Sequence, residues 1–280
     1  MQKLYGVVGD PISHSLSPVI HKQLFQMTGR EEHIYAALHI RAAQLPAAVE
    51  ILRGNFEGFN VTIPHKQAVI PLLDELTAAA ARCGAVNTIK SGGGRLVGHN
   101  TDGPGFTLAL QLAGWDIAGS RVLLVGAGGA ARAAAHELAE MGCTLTIANR
   151  TLAGAAALVQ ELQAWYPRLQ AAAVALEECA GGRYDVVVNA TPIGMGLYAG
   201  QLPVDLDGLQ GVEYVYDLIY SPSQTELLRQ GQALGCRVLN GLPMLVYQAA
   251  LAQEFWLGEP IPEPAICQVL ALLEEMSTHG

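Results

Sequence analysis

Residues 122–142 read VLLVGAGGAARAAAHELAEMG, and this stretch decides the fold. An apolar run ends in Gly126-Ala127-Gly128-Gly129-Ala130-Ala131, and an alanine-rich helical pattern follows at once. The pattern is G-x-G-x-x-A in a strand–turn–helix setting, the setting that makes it a dinucleotide fingerprint. Gly126 permits the tight turn, Gly128 removes a Cβ where a pyrophosphate must approach the backbone, and Ala131 lets helix and strand pack closely. Amide groups at the helix start then face the phosphates.

The next apolar run, TLTIA at 144–148, ends where an NAD enzyme places a carboxylate on the ribose hydroxyl. Asn149-Arg150-Thr151 stand there instead. Arg150 can pair with a 2′-phosphate and stack on adenine, and Thr151 can add a hydroxyl. The sequence therefore predicts NADP over NAD. A solvated surface arginine is the alternative at Arg150.

Outward from this stretch the chain alternates short β-branched runs with helical patterns. Strands are expected at 4–9, 34–40, 59–63, 85–90, 95–99, 121–126, 144–149, 184–190, 213–220 and 236–240. Helices are expected at 17–28, 42–53, 66–82, 104–113, 129–141, 152–165, 223–234, 242–256 and 264–277. Such alternation implies βαβ units and mostly parallel sheets, an α/β class. A length of 280 residues suggests about two domains.

Composition excludes several classes. Hydrophobic residues make up 51% and charged residues 15%, which suits a packed core and not a disordered chain. The formal net charge is −9, from 16 basic and 25 acidic residues, and argues against nonspecific nucleic-acid binding. Apolar stretches are interrupted before bilayer-spanning length, and no secretory signal opens the chain. The five cysteines have no CxxC spacing, which points to a reducing compartment and the cytoplasm. No metal-binding spacing occurs among the histidines.

Small polar residues cluster at expected strand ends before residue 104: Ser13 to Ser17, Asn60 to Lys66, Asn87-Thr88 and Asn100 to Gly103. In a parallel sheet such ends line the ligand crevice, so they form a polar basin suited to a small polyhydroxylated anion. Duller readings remain. Ser15 and Ser17 can cap a helix, and Asn100 to Gly103 can be a turn. Lys66, one of four lysines, can act as a general acid or base near an Asp partner, or be solvated.

These motifs together resemble the shikimate dehydrogenase family. The resemblance rests on YGVVGDPISHSLSP at 5–18, FNVTIPHK at 59–66, GAVNT at 84–88, NTDG at 100–103, GAGGAAR at 126–132, NRT at 149–151, NATPIGM at 189–195, DLIY at 217–220 and the G-x-P-M-L-x-x-Q stretch from Gly241 to Gln248. It implies NADP-dependent interconversion of 3-dehydroshikimate and shikimate in aromatic amino-acid biosynthesis. By this resemblance Lys66 and Asp102 would be the catalytic pair. Ser15, Ser17 and Tyr220 would hold the substrate carboxylate, and Thr62, Asn87, Asp102 and Gln248 its hydroxyls. Gly126, Ala127, Gly128, Gly129 and Ala130 would hold the pyrophosphate, with Asn149, Arg150 and Thr151 on the adenosine 2′ side. Leu218 and Gly241 would lie near the nicotinamide.

The resemblance also implies a substrate domain of residues 1–103 and 243–280, with a Rossmann domain of 104–242 inserted. The partners would be small molecules only, in a monomer or homodimer. Two positions depart from the family pattern. Gly154 stands where many members carry a second basic residue, leaving Arg150 as the main charged grip. Ala78 stands where many carry an acid, so no side-chain cofactor contact carries over there. The rival readings are a quinate/shikimate dehydrogenase with broader NAD(P) use and a noncatalytic NADP-binding sensor.

Overall fold

The computed structural model describes residues 2–278. Its contacts divide the chain into two compact units. One comprises the residues up to Gly105 together with those from Leu245 onward; the other is the continuous segment Phe106–Met244.

The first unit holds strands β1 (Leu4–Gly9), β2 (Ile34–His39), β3 (Gly58–Val61), β4 (Glu75–Leu76), β5 (Thr88–Gly92) and β6 (Arg95–His99). They form one sheet in the order β2-β1-β3-β5-β6-β4. Pairs β1–β2, β1–β3 and β4–β6 are parallel, whereas β5 runs antiparallel to β3 and β6. Helices α1 (Ser17–Met27), α2 (Leu45–Asn55) and α3 (Ala78–Cys83) belong here, as does α9 (Glu263–Thr278). Leu45, Val49 and Leu52 of α2 pack with Val8, Phe59, Val61, Ile89 and Leu96 from the strands.

A second cluster in this unit joins Tyr5, Phe25, Ala252 and Trp256. A Cβ on Gly58 would lie 2.4 Å from Trp256 Nε1, so glycine is required where the indole crosses β3. The Trp256 N–H donates to the Ile89 carbonyl at 2.9 Å.

The expected helix over 66–82 is not formed. A short 3₁₀ turn at Ile70–Leu72, then β4 and α3, occupy that span. Pro71 lacks an amide and its ring crowds the preceding turn, so a helix cannot run through it. The segment is held from outside: Arg53 donates to the Leu72 carbonyl, and the Asp74 carboxylate accepts from Leu96 N. The helix restarts only where Thr77 Oγ1 caps α3 by accepting from Ala80 N.

The second unit contains β7 (Arg121–Val125), α5 (Gly129–Glu140), β8 (Thr144–Asn149), α6 (Leu152–Trp165), β9 (Ala171–Ala175), β10 (Val186–Asn189), β11 (Tyr214–Asp217), α7 (Glu226–Ala233) and β12 (Arg237–Leu239). Its sheet order is β12-β11-β10-β7-β8-β9, and all five pairings are parallel. This is the doubly wound dinucleotide-binding order, reversing between β7 and β10. Strands β7 and β10 are mostly apolar because both sheet faces are covered. Leu124, Ile147 and Val188 pack with Leu138, Leu158 and Leu162 on one face, and Leu123, Val187 and Val215 with Leu227 and Leu228 on the other.

Two helices carry the chain from one unit to the other. The boundary after Gly105 falls inside α4 (Asp102–Leu112), and that after Met244 inside α8 (Leu242–Leu257). Among the described residues, no helix is long and apolar enough to cross a membrane.

Candidate active site

Three strand termini meet at one edge of the first sheet. Asn60 is near the end of β3, and His99 ends β6. Asn87 was expected inside a strand, at a carboxyl end. It precedes β5 instead, and because β5 is antiparallel its amino end lies beside those carboxyl ends, with Thr88 in register with both Asn60 and His99.

Lys66 follows β3 on a loop fixed by its backbone. Thr62 N donates to Val8 O, His65 N to Thr62 O, and Val86 N to Lys66 O, each within 2.9 Å. The buried His65 ring adds a 2.6 Å hydrogen bond between Nε2 and the Ile40 carbonyl. Lys66 Nζ donates to Asp102 Oδ2 at 2.6 Å, with the two side chains only 15% and 7% exposed.

Asp102 opens α4. Asn100 Oδ1 accepts from the amides of Asp102 and Gly103, so Asn100 to Gly103 form a helix-initiating turn and also present a carboxylate. Asn87 Nδ2 donates to Asp102 Oδ1 at 2.7 Å and to Thr101 Oγ1 at 2.9 Å, and Gln248 Oε1 lies 3.3 Å from it. The orientation of this amide is determined. Asn87 Oδ1 accepts from the Thr101 backbone N–H at 2.9 Å, a group that can only donate.

The serines divide their roles. Ser15 Oγ accepts from Ser17 N at 3.2 Å, and Leu16, not a serine, occupies the cap position of α1. Ser15 therefore takes the first amide of α1, as the helix-cap reading expects, whereas Ser17 is the first helical residue and not its cap. Thr62 is partly buried beside Gly9. Tyr220 belongs to the second unit and is partly exposed.

In the second unit the glycine-rich turn joins β7 to α5. Gly126 has φ +113°, and a Cβ there would lie 3.1 Å from the Ala190 carbonyl oxygen, so glycine is required. Gly128 differs. Its φ of −81° suits any residue, and a Cβ there would meet nothing within 4 Å. No contact within the protein accounts for glycine at 128, but a ligand lying on the backbone does. Gly128 also precedes the twelve-residue helix α5 with no side-chain cap, leaving its first amides for an anion. The turn therefore fits a dinucleotide pyrophosphate.

At the end of β8, Asn149 Nδ2 donates to the Thr151 carbonyl at 3.0 Å and shapes the loop, while Arg150 and Thr151 are exposed. Leu218 and Gly241 touch: a Cβ on Gly241 would lie 2.0 Å from Leu218 O. Gly241 N also donates to Ile219 O at 2.9 Å.

Several contributors were not assigned from sequence. Asp217 is fully buried and ends β11. It accepts from Asn189 Nδ2 at 2.9 Å, Ile219 N at 3.1 Å and Thr225 Oγ1 at 2.7 Å. Burial pushes its carboxyl up to about 6, against these donors. Asn60, Thr88 and Thr101 were visible as polar residues, but without a role. Tyr35 carried no signal, since an aromatic in a strand ordinarily reads as core.

Two family models match the chain. That of the shikimate dehydrogenase substrate binding domain covers residues 7–89, and that of shikimate / quinate 5-dehydrogenase covers residues 107–193. The shikimate dehydrogenase (NADP(+)) of Carboxydothermus hydrogenoformans is 40% identical over 272 residues, spanning 96% of this chain and 97% of the relative. That of Moorella thermoacetica is 42% identical over 285 residues, spanning 99% and 95%. A crystal structure of shikimate 5-dehydrogenase from Thermus thermophilus with NADP(H) and shikimate superposes with TM-score 0.85 at 36% identity, covering 96% of this chain and 98% of that one. With matches across both units, the chain belongs to the shikimate dehydrogenase family.

Proposed function

We propose that this protein is an NADP-dependent shikimate dehydrogenase that reversibly reduces 3-dehydroshikimate to shikimate in aromatic amino-acid biosynthesis. The observation that carries the reading is the Lys66–Asp102 pair, enclosed by Asn87 and Gln248 at a polar sheet edge.

Lys66, as an ammonium, gives a proton to the alkoxide oxygen that forms as the ring ketone is reduced, and takes it back in the reverse direction. Asp102 orients the ammonium through Oδ2 and accepts a hydrogen bond from a neighbouring ring hydroxyl. Asn87 and Gln248 bind further hydroxyls, with Thr62. Ser15, Ser17 and Tyr220 hold the carboxylate and set the ring's orientation. NADPH, when bound, supplies the hydride. Gly126 to Ala130 cradle its pyrophosphate, Asn149, Arg150 and Thr151 bind its 2′-phosphate side, and Leu218 and Gly241 border its nicotinamide.

We place the enzyme in the cytoplasm, as a monomer or homodimer without nucleic-acid partners; its free cysteines suit a reducing compartment. Steady-state turnover with shikimate or quinate, each with NADP⁺ or NAD⁺, tests the assignment. The shikimate–NADP⁺ pair is expected to dominate. Comparable rates with quinate or NAD⁺ would favour the broader dehydrogenase, a reading that Gly154 supports by leaving the 2′-phosphate with one cation. Absence of turnover with all four pairs would favour a sensor.

A further inference from the structure

Behind the Lys66–Asp102 pair the first unit carries a line of polar side chains inside an apolar sheet. Tyr35, on β2, donates its hydroxyl to Asn60 Oδ1 at 2.7 Å. Asn60, on β3, is flanked by the buried Phe59 and Val61 and is itself buried. Its Nδ2 donates to Asn87 O at 3.0 Å and to Thr88 Oγ1 at 3.0 Å. The Thr88 hydroxyl then donates to Asn87 Oδ1 at 3.0 Å. Asn87 is the residue whose amide meets the second oxygen of Asp102.

Each polar atom of Asn60 has a defined partner. Nδ2 faces the Asn87 carbonyl, which can only accept, so Oδ1 must face Tyr35. The Tyr35 ring is held in place by stacking on His21, with centroids 4.0 Å apart and planes 8° apart. Desolvation lifts the Tyr35 phenol well above its ordinary range, so it remains a neutral donor throughout the working pH range. An apolar residue at 60 would pack the sheet without any of these bonds. What asparagine adds is a grip on both the backbone and, through Thr88, the side chain of Asn87.

We propose that Tyr35 and Asn60 are positioning residues for proton transfer: they hold Asn87 so that its amide, rather than water, occupies Asp102 Oδ1, which fixes the direction in which Asp102 holds Lys66. This rests on the function proposed above.

The test is steady-state kinetics of Tyr35→Phe and Asn60→Ala in shikimate oxidation, with solvent deuterium isotope effects and thermal unfolding. Tyr35→Phe is expected to lower kcat about tenfold, leave KM for NADP⁺ unchanged and raise the solvent isotope effect. Asn60→Ala should lower kcat further. Leu52→Ala, a core cavity in the same unit, should lower Tm and leave kcat and the isotope effect unchanged. A folded Tyr35→Phe enzyme with wild-type kcat and isotope effect would overturn the proposal, and this variant decides alone if Asn60→Ala does not fold. A wild-type enzyme that does not turn over shikimate would overturn the functional reading first, and this proposal with it.

Discussion

The Lys66 ammonium and the Asp102 carboxylate meet at 2.6 Å, one from a loop after β3 and the other from the first turn of α4. Asp102 uses its two oxygens for different partners, Oδ2 for Lys66 and Oδ1 for Asn87. A carboxylate held on both sides has little rotational freedom, which is what a proton-transfer geometry needs. Lys66→Ala should lower kcat by about 10²- to 10⁴-fold, the usual contribution of a general acid or base. Asp102→Asn should also act on kcat while leaving NADPH affinity intact, as measured by fluorescence titration. A Lys66→Ala enzyme changed only in KM would reassign that lysine to binding.

Arg150 is exposed, and its partner in the proposed complex is a phosphate. Arg150→Ala should raise KM for NADPH roughly tenfold or more, on the scale of a charge-assisted hydrogen bond. KM for NADH should hardly move. Equal effects on the two cofactors would remove the 2′-phosphate assignment.

Gly126 and Gly128 should separate folding from binding. At Gly126 a side chain meets both an unfavourable φ and the Ala190 carbonyl, so Gly126→Ala should lower Tm. At Gly128 there is room and an ordinary backbone. Gly128→Ala should keep Tm at or slightly above wild type, because a less flexible unfolded chain favours folding. It should nonetheless weaken NADPH binding. A Gly128→Ala enzyme with wild-type KM for NADPH would show that the glycine does not serve the pyrophosphate.

Asp217 should make stability depend on pH in an unusual direction for a carboxylate. Its folded value of about 6 lies above the ordinary 3.8, so between those values the native state keeps a proton that the unfolded chain releases. The stabilisation is full below about 3.8 and is lost as pH rises through about 6. The loss is on the order of 2–3 kcal/mol by the cost per pKa unit. Asp217→Asn keeps the shape and cannot ionise. Urea unfolding at pH 4 and pH 7 should therefore show the variant gaining on wild type at the higher pH. A constant difference between the two proteins across that range would contradict the raised value.

Much of this was legible because small residues and strand ends carry strong local constraints. The turn at Gly126, the helix starting at Gly129 and the alternation of β7, α5 and β8 follow from residue size and period alone. Other features depend on partners distant in sequence. The reversal of β5 cannot be read from GAVNT, because strand direction depends on the neighbours β3 and β6. β9 was missed because Ala171–Ala175 is nearly all alanine, a weak strand former that pairs here as an edge strand beside β8. The helix expected over 66–82 overvalued hydrophobic spacing against a single Pro71. At the site, Lys66 and Asp102 could be named from their motifs, but the line from Tyr35 through Asn60 to Asn87 joins residues of three strand regions and exists only once the sheet has formed.

The division of the chain bears on the order in which the protein can fold during synthesis. The inner segment Phe106–Met244 is synthesised in full before the residues that complete the other unit. Until Trp256 arrives, Gly58 and the aromatic side chains of Tyr5 and Phe25 have no cover from α8. The part made first is thus the part finished last, reversing the usual amino-to-carboxyl sequence of domain folding. A nascent chain stalled before α8 leaves the apolar surface around Tyr5 and Phe25 open, the state most in need of a chaperone.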